Sequence, residues 1–474
     1  MRSRKYLHPS SYPRMTTECE VRMVADHLSF LHSECKQIVT CDRRQDMRNM
    51  YKLLKPIDSG LSVMVQEIQA HVTRIGLQAI NLTGENLNNP QLFVENMLDV
   101  HRQQMMLIRD VFTGDQLFVG ALDKACSSVI NHRKNSKTPC KSPELLARYC
   151  DALLKKSVRG LSESEIDDKL GQSITVFKYI DDKDVFQKFY AKMLAKRLIH
   201  SQSVSMDSEE SMINKLKQAC GYEFTSKLHR MFTDIKLSED LNQQFNVWCR
   251  TNSVELGISF GILVLQAGAW PLQQTAISPF SIPQPFEKSV SNFETSYNSK
   301  FNGRKLTWLH HLSTVELKVG FTKKVYTVSM GTYHMAILWL FESTNTLTYK
   351  DLSDATKLTD EQLIKHLQSL IDAKLLLATH ESLPLPVIVK PELTSEAAIT
   401  ETGDGIVAIG GTPAAAAKTT PQIISMSTVP PDLLLTLNLS YQNKRTKFKI
   451  TAVVQKEAQQ VINVSITMLV LPSH

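Results

Sequence analysis

The stretch that decides the fold runs from Val176 to Phe232: VFKYIDDKDVFQKFYAKMLAKRLIH, a short polar loop, then MDSEESMINKLKQACGYEFTSKLHRMF. In its first half Phe186, Phe189, Tyr190, Met193 and Leu194 recur at helical spacing, which predicts an amphipathic helix. Opposite them Lys188, Lys192 and Lys196 stand four apart with Arg197 beside the last, so one cationic stripe is expected along this helix. Asp207 and Glu210 read as a capping pair for the next helix, whose buried side is expected to hold Ile213, Leu216 and Cys220. Gly221 suits its C-terminus. A further helix carries Leu228, Met231, Phe232 and Ile235.

Upstream, from Glu18 to about Lys156, amphipathic segments follow one another with short polar breaks; Met64, Ile68 and His71 or Val72 mark one stripe, and Phe93, Met97, Val100 and Met105 or Leu107 another. Each stripe needs a partner face, so a stack of helix hairpins is expected. Downstream the period changes. LGISFGILVLQAG reads as a β-type run, a helix is expected from about Pro283 to Phe301, and LTWLHHL, VELKV and KVYTVSM have strand composition. A compact helical unit comes next, in which Thr359 and Gln362 read as a capping box and Leu363, Leu367, Leu370 and Ile371 as a buried stripe. Helices followed by a short apolar strand imply a winged-helix unit. Residues 391–431, rich in Ala, Thr, Gly and Pro without a period, are expected to form a disordered insertion. Two strands, LLLTLNLS and TKFKITAVV, follow it.

Composition excludes several classes. With 474 residues about three domains are expected, and 42% apolar residues suffice for ordinary cores. A net charge of +7 over this length is a mild bias and does not by itself indicate nucleic acid. Eight cysteines show no CxxC pair, which fits free thiols in a reducing compartment. No signal peptide and no membrane span are read. No GxSxG, phosphate-binding glycine loop or HExxH occurs, so no catalytic residue, cofactor or metal is expected. His27, His32 and Cys35 lie five and three apart with no second cluster to complete four ligands. His310 and His311 fall in a strand pattern, where the two rings would point to opposite faces.

The words FQKFYAKMLAKRL and INKLKQACGYEFTSKLHRMF are long and uninterrupted, and others stand in order around them: SPELLARYCDALLKK, LQAGAWPL, GRKLTWLH and KRTKFKIT. By these the chain closely resembles the cullins, the scaffold subunits of cullin-RING ubiquitin ligases, with wording most like the elongin-linked, VHL-type branch (cullin-two). The resemblance covers roughly Arg2 to Gln460, the insertion excepted. It implies a fold that is mainly α with a C-terminal α+β part: a helical cullin repeat, a four-helix bundle, then a mixed α/β domain containing a winged-helix unit. Residues 1–15 are expected to be the remnant of a preceding repeat, 16–160 one repeat, 161–303 the bundle, 304–460 the α/β domain with its winged helix at about 331–380, and 461–474 a divergent tail. The chain is expected to be truncated at both ends relative to the family, lacking the region that binds elongin B/C adaptors and the terminal winged helix that bears the acceptor lysine for NEDD8.

The resemblance further implies a RING-box protein and a ubiquitin-conjugating enzyme as partners, in cytoplasm and nucleus. Leu306, Trp308, Leu309, Lys447 and Phe448 are the residues expected at the RING-box joint, where a strand of that partner is built into the sheet. Without the resemblance, Trp308 reads equally as sheet core. Lys188, Lys192, Lys196 and Arg197 are expected to form a basic groove for the conjugating enzyme's acidic tail; from the pattern alone a solvated face is the plainer reading. A rival function, a nucleic-acid-binding winged helix, would need basic residues on TDEQLIKHLQSLIDAK, which carries Asp360 and Glu361 at its start and only Lys365 and Lys374.

Overall fold

The computed structural model describes residues 8, 11–80, 89–133, 135, 138–157, 160–272, 279–322, 324–379, 388–389, 423–424, 429–452 and 467–473. Two compact units divide the chain, residues 1–197 with 202–229 and residues 198–201 with 230–474.

In the first unit the described elements are helical: α1 (Ser11–Met23), α2 (Leu28–Thr40), α3 (Arg44–Leu54), α4 (Ser62–Ile80), α5 (Pro90–Phe112), α6 (Gln116–Ile130), α7 (Ser142–Leu154), α8 (Glu163–Lys178), α9 (Lys183–Ile199), α10 (Met206–Cys220) and the first turns of α11 (Tyr222–Thr251). Contacts run both to the next helix and to the next but one, as in α2–α4, α4–α6, α5–α7 and α8–α10, which makes a helical stack. The stripes read from the sequence are its interior: Met64, Ile68 and Val72 of α4, and Phe93, Met97, Val100 and Leu107 of α5, are buried. Gly76 lets α4 and α6 approach closely, since a Cβ there would lie 2.8 Å from Val129 Cγ2. Local chemistry sets the helix starts: the Asn89 side chain accepts from the N–H groups of Gln91 and Leu92 ahead of Pro90, and Ser162 with Glu165 forms a capping box on α8. The cap of α10 differs from expectation. Ser205, one position before the helix, accepts the Ser208 N–H at 3.1 Å, so Asp207 is an ordinary first-turn residue. Gly221 ends α10 with φ 85° as expected, while Cys220 is only half-buried.

The second unit holds two sheets of three or more strands. In the larger the order is β1 (Gly261–Val264), β11 (Thr467–Ser473), β3 (Thr314–Val319), β4 (Tyr326–Gly331) and β10 (Lys447–Lys449), and β2 (Lys305–Trp308) also pairs with β11. The smaller sheet, in the order β5 (Thr346–Thr348), β9 (Leu434–Leu437), β6 (Leu376–Thr379), joins α13 (Thr332–Trp339), α14 (Tyr349–Thr356) and α15 (Asp360–Asp372) in the winged-helix unit. A two-residue parallel pair, β7 (Ile388–Val389) with β8 (Ile423–Ile424), completes the described strands. One core runs from β3 and β4 through the winged helix and includes Val328, Met335, Leu352, Leu370 and Leu435; a smaller one gathers Phe245 and Cys249 of α11, Ile262 and Val264 of β1, and Phe293 and Tyr297 of α12 (Gln284–Lys300).

Three expectations change here. Thr359 has extended backbone before α15 but makes no side-chain cap; the Asp360 carboxylate instead accepts from Tyr349 Oη at 2.8 Å. His310 and His311 lie in a 3-10 turn that joins β2 to β3, because the chain must bend there to shift from one strand line to the next. Of residues 433–452, expected to share a sheet with 304–330, β10 does join that sheet through β4, whereas β9 belongs to the winged-helix sheet. The expected insertion at about 391–431 lies, apart from Ile423, Ile424 and residues 429–431, outside the described residues, as do most of residues 1–10.

Candidate functional site

Helix α9 separates the four cations that the sequence lined up. Lys188, Lys192 and Lys196 are exposed; Arg197 is wholly buried. A 100° step per residue explains this, since the position after Lys196 turns toward the interior. There the Arg197 guanidinium makes a fork with Glu209, Nε to Oε1 at 2.7 Å and Nη2 to Oε2 at 2.9 Å, and donates through Nη1 to Asp151 Oδ1 at 2.6 Å. Ser203 Oγ donates to Glu209 at 2.7 Å, and Lys155 closes on Asp151 at 2.5 Å. Burial opposes the guanidinium charge, but Glu209 and Asp151 outweigh it and hold the group above its ordinary value. Arg197 is therefore a tie between α9, α10 and α7, and its place in a surface groove is corrected.

Among the described residues no carboxylate forms an ion pair with Lys188, Lys192 or Lys196. Partial burial, and then the nearby Lys155 and Lys192 charges, push the Lys196 ammonium below its usual range in spite of Asp151. Three like charges on one exposed face thus have no ion-pair partner among the described residues, with Asp151 acting on Lys196 from farther off.

In the second unit the residues expected at a strand joint fall in two places. Leu306 and Trp308 are on β2, whose registered partner is β11: Leu306 stands opposite Pro472 and Trp308 opposite Val470. Trp308 Nε1 donates to Glu294 Oε1 at 2.6 Å and its ring meets Phe293 edge-on, so this side chain packs on α12. Leu309 is buried at the start of the 3-10 turn. Lys447 and Phe448 lie on β10, the far edge of the same sheet; Lys447 pairs with Glu316 at 3.1 Å, and Phe448 packs with Tyr326 and Tyr441. The five do not form one patch, because β11, β3 and β4 intervene.

What the sequence did not single out is how β1 is held. On one edge its backbone bonds to side chains of α11: Asn242 Nδ2 donates to Ile262 O at 2.7 Å and Asn242 Oδ1 accepts the Ile262 N–H at 2.8 Å, while Ser238 Oγ accepts the Val264 N–H at 2.9 Å. Asp234, one turn earlier, accepts from Gln266 N–H at 2.8 Å and Trp270 Nε1 at 2.7 Å, which fixes the LQAGAWPL segment on the helix. Burial raises the Asp234 carboxyl pKa above its ordinary value despite these two donors. The spacing of Asp234, Ser238 and Asn242 at four-residue steps is a legible sign of a polar ridge, but not of a strand lying against it.

Sequence comparison covers both units. The family described as the cullin alpha solenoid domain matches residues 1–242, and the cullin alpha+beta domain matches residues 264–386. The chain belongs to the cullin family. Relatives include Cullin-2 of Caenorhabditis elegans, 43% identical over 407 residues (82% of this chain, 51% of the relative), and Cullin-1 of Dictyostelium discoideum, 41% identical over 390 residues (80% and 50%). Cullin-3 of Dictyostelium discoideum is 33% identical over 373 residues, 78% of this chain and 47% of the relative. The chain spans about half the length of these cullins. Both features above fall in or beside cullin-matched sequence, α9 within the solenoid match and β2 within the alpha+beta match. Among the described residues there is no cluster of metal-ligating side chains and no helix long and apolar enough to cross a membrane.

Proposed function

We propose that this chain is a non-catalytic scaffold of a cullin-RING ubiquitin ligase. It would hold a RING-box subunit at the larger sheet and steer a ubiquitin-conjugating enzyme through the exposed lysines of α9, for ubiquitin-dependent protein degradation in cytoplasm and nucleus. The gain such a scaffold provides is proximity, with donor and acceptor carried in one assembly. One observation supports the RING-box part above others: β1 and β2 do not pair with each other but take a strand between them. The strand there is the chain's own β11; a partner's strand in that position would be β-augmentation, in which main-chain hydrogen bonds supply affinity and the alternation of side chains supplies register. Lys188, Lys192 and Lys196, exposed and in no ion pair among the described residues, suit an acidic partner tail, an attraction that speeds encounter more than it tightens binding.

The test is co-expression of the chain with a RING-box protein, followed by affinity purification on either partner. An equimolar complex that survives washing at micromolar concentration is expected. Failure to associate at that concentration sinks the reading. Nucleic-acid binding through the winged helix is not favoured: α15 begins with Asp360 and Glu361, and Leu363, Ile364, His366 and Leu367 are buried in the unit's own core.

A further inference from the structure

Strand β11 occupies the position that an incoming strand would take. It runs parallel to β1, with Gly261, Ile262, Leu263 and Val264 opposite Thr467, Met468, Leu469 and Val470. On its other edge it is antiparallel to β2, from Lys305 opposite Ser473 to Trp308 opposite Val470, and Thr467 bridges to Thr314 of β3. Among the described strands, β11 is the sole strand partner of both β1 and β2.

The helix side of β1 explains why this is a slot rather than a finished sheet. Ile262 and Val264 direct their backbone groups to Asn242 and Ser238. Strand groups alternate in direction, so those of Gly261 and Leu263 face the other way and need a strand. Lys305 to Trp308 present a second row on the other side of β11, which without it would also be unpaired. Two open edges about one strand apart form a receptor for an extended segment, and open edges in general invite a second chain.

We infer that residues 467–473 are an internal occupant of this slot and compete there with the strand of the RING-box subunit, so that the tail gates assembly; this rests on the RING-box reading above. The occupant is built to be displaced. Pro472 brings no N–H to the ladder opposite Leu306, and the pairing to each of β1 and β2 is four residues long. A slot filled in cis for most of the time lowers apparent affinity by the fraction left open, so a tail bound in about 90–99% of molecules weakens RING-box binding about 10- to 100-fold.

The experiment compares the full chain with two variants: deletion of Thr467–Ser473, and Leu469→Pro with Val470→Pro, which together remove donors on both edges of β11 while keeping chain length. Amide hydrogen exchange comes first. Protection at β1 and β2 in the full chain should fall in both variants; unchanged protection overturns the inference whatever the partner does. Titration with purified RING-box protein comes second, with a gain of about 10- to 100-fold expected in both variants and a free peptide of residues 461–474 expected to reverse it for the deletion. Equal binding by full chain and variants overturns gating and leaves the scaffold reading intact. No binding by any of the three, with exchange responding as expected, removes the RING-box reading and the competition with it.

Discussion

Arg197 and Lys196 are neighbours in sequence and opposites in environment. Removing the Lys charges should change encounter and not folding: Lys188→Glu with Lys192→Glu is expected to slow association with an acidic partner severalfold at low salt, with the difference shrinking at high salt, in stopped-flow measurements. Arg197→Ala should do the reverse. It leaves Glu209 in the interior without its cation and Asp151 with Lys155 alone, so a loss of about 3–5 kcal/mol in stability is expected from chemical denaturation. Association of whatever remains folded should be unaltered. The winged-helix unit carries a different residue-scale sensitivity. His334 Nε2 donates to Ser369 Oγ at 2.6 Å and His366 Nδ1 to Gln362 O at 2.6 Å, and burial holds both rings below their ordinary pKa, His366 at about 4. Between pH 6.5 and 4 the unfolded chain therefore binds protons that the folded one refuses, and stability falls as pH falls. The contribution of His366 reaches about 3 kcal/mol across that window. Thermal unfolding from pH 7 to pH 4 should show a shallower decline for His366→Phe than for the parent; parallel curves would count against this assignment.

At the scale of elements, helices were the legible part. The stripes of α4, α5 and α9 alternate apolar and polar positions at one period, and each stripe faces another helix, so pattern and burial coincide. Caps were less legible, because several Ser, Thr and Asp residues compete near each start and the winner is set by backbone geometry: Ser205 prevailed over Asp207, and Thr359 makes no side-chain bond. The slot was illegible for a physical reason. Its walls come from segments more than 40 residues apart, its far edge is completed by side chains of α11, and strand neighbours far apart in sequence leave no local period. The same logic split Lys447 and Phe448 from Leu306 and Trp308, which look alike as strand words yet lie at different parts of the sheet. Two element-scale outcomes are expected. Asn242→Leu strips β1 of both bonds to Ile262 and should cost about 1–3 kcal/mol per orphaned group in denaturation experiments. Proline at Leu306 and at Thr307, tested singly, should differ in effect. Adjacent strand residues point to opposite edges, so one of the two removes a donor that faces the slot and weakens RING-box binding more.

For the whole molecule, cullin sequence runs through both units, and the chain spans about half the length of the cullins it matches. Family was readable from uninterrupted words such as INKLKQACGYEFTSKLHRMF because such a stretch serves several constraints together. Its Ile213 and Leu216 are core, Gly221 ends α10, and Leu228, Met231 and Phe232 are buried on α11. Scaffolding asks for no reactive group. It asks for a rigid helical stack, a place where another chain can be built in, and a charged face that hastens a transient partner. The built-in strand is probed by isothermal titration of a purified RING-box protein into the chain lacking Thr467–Ser473, where no internal strand competes. Saturable equimolar binding, with a Kd of micromolar or tighter and abolished by the more damaging of the two β2 prolines, is the predicted result. An absence of heat and of co-elution at tens of micromolar, with the deleted chain still folded, would contradict it.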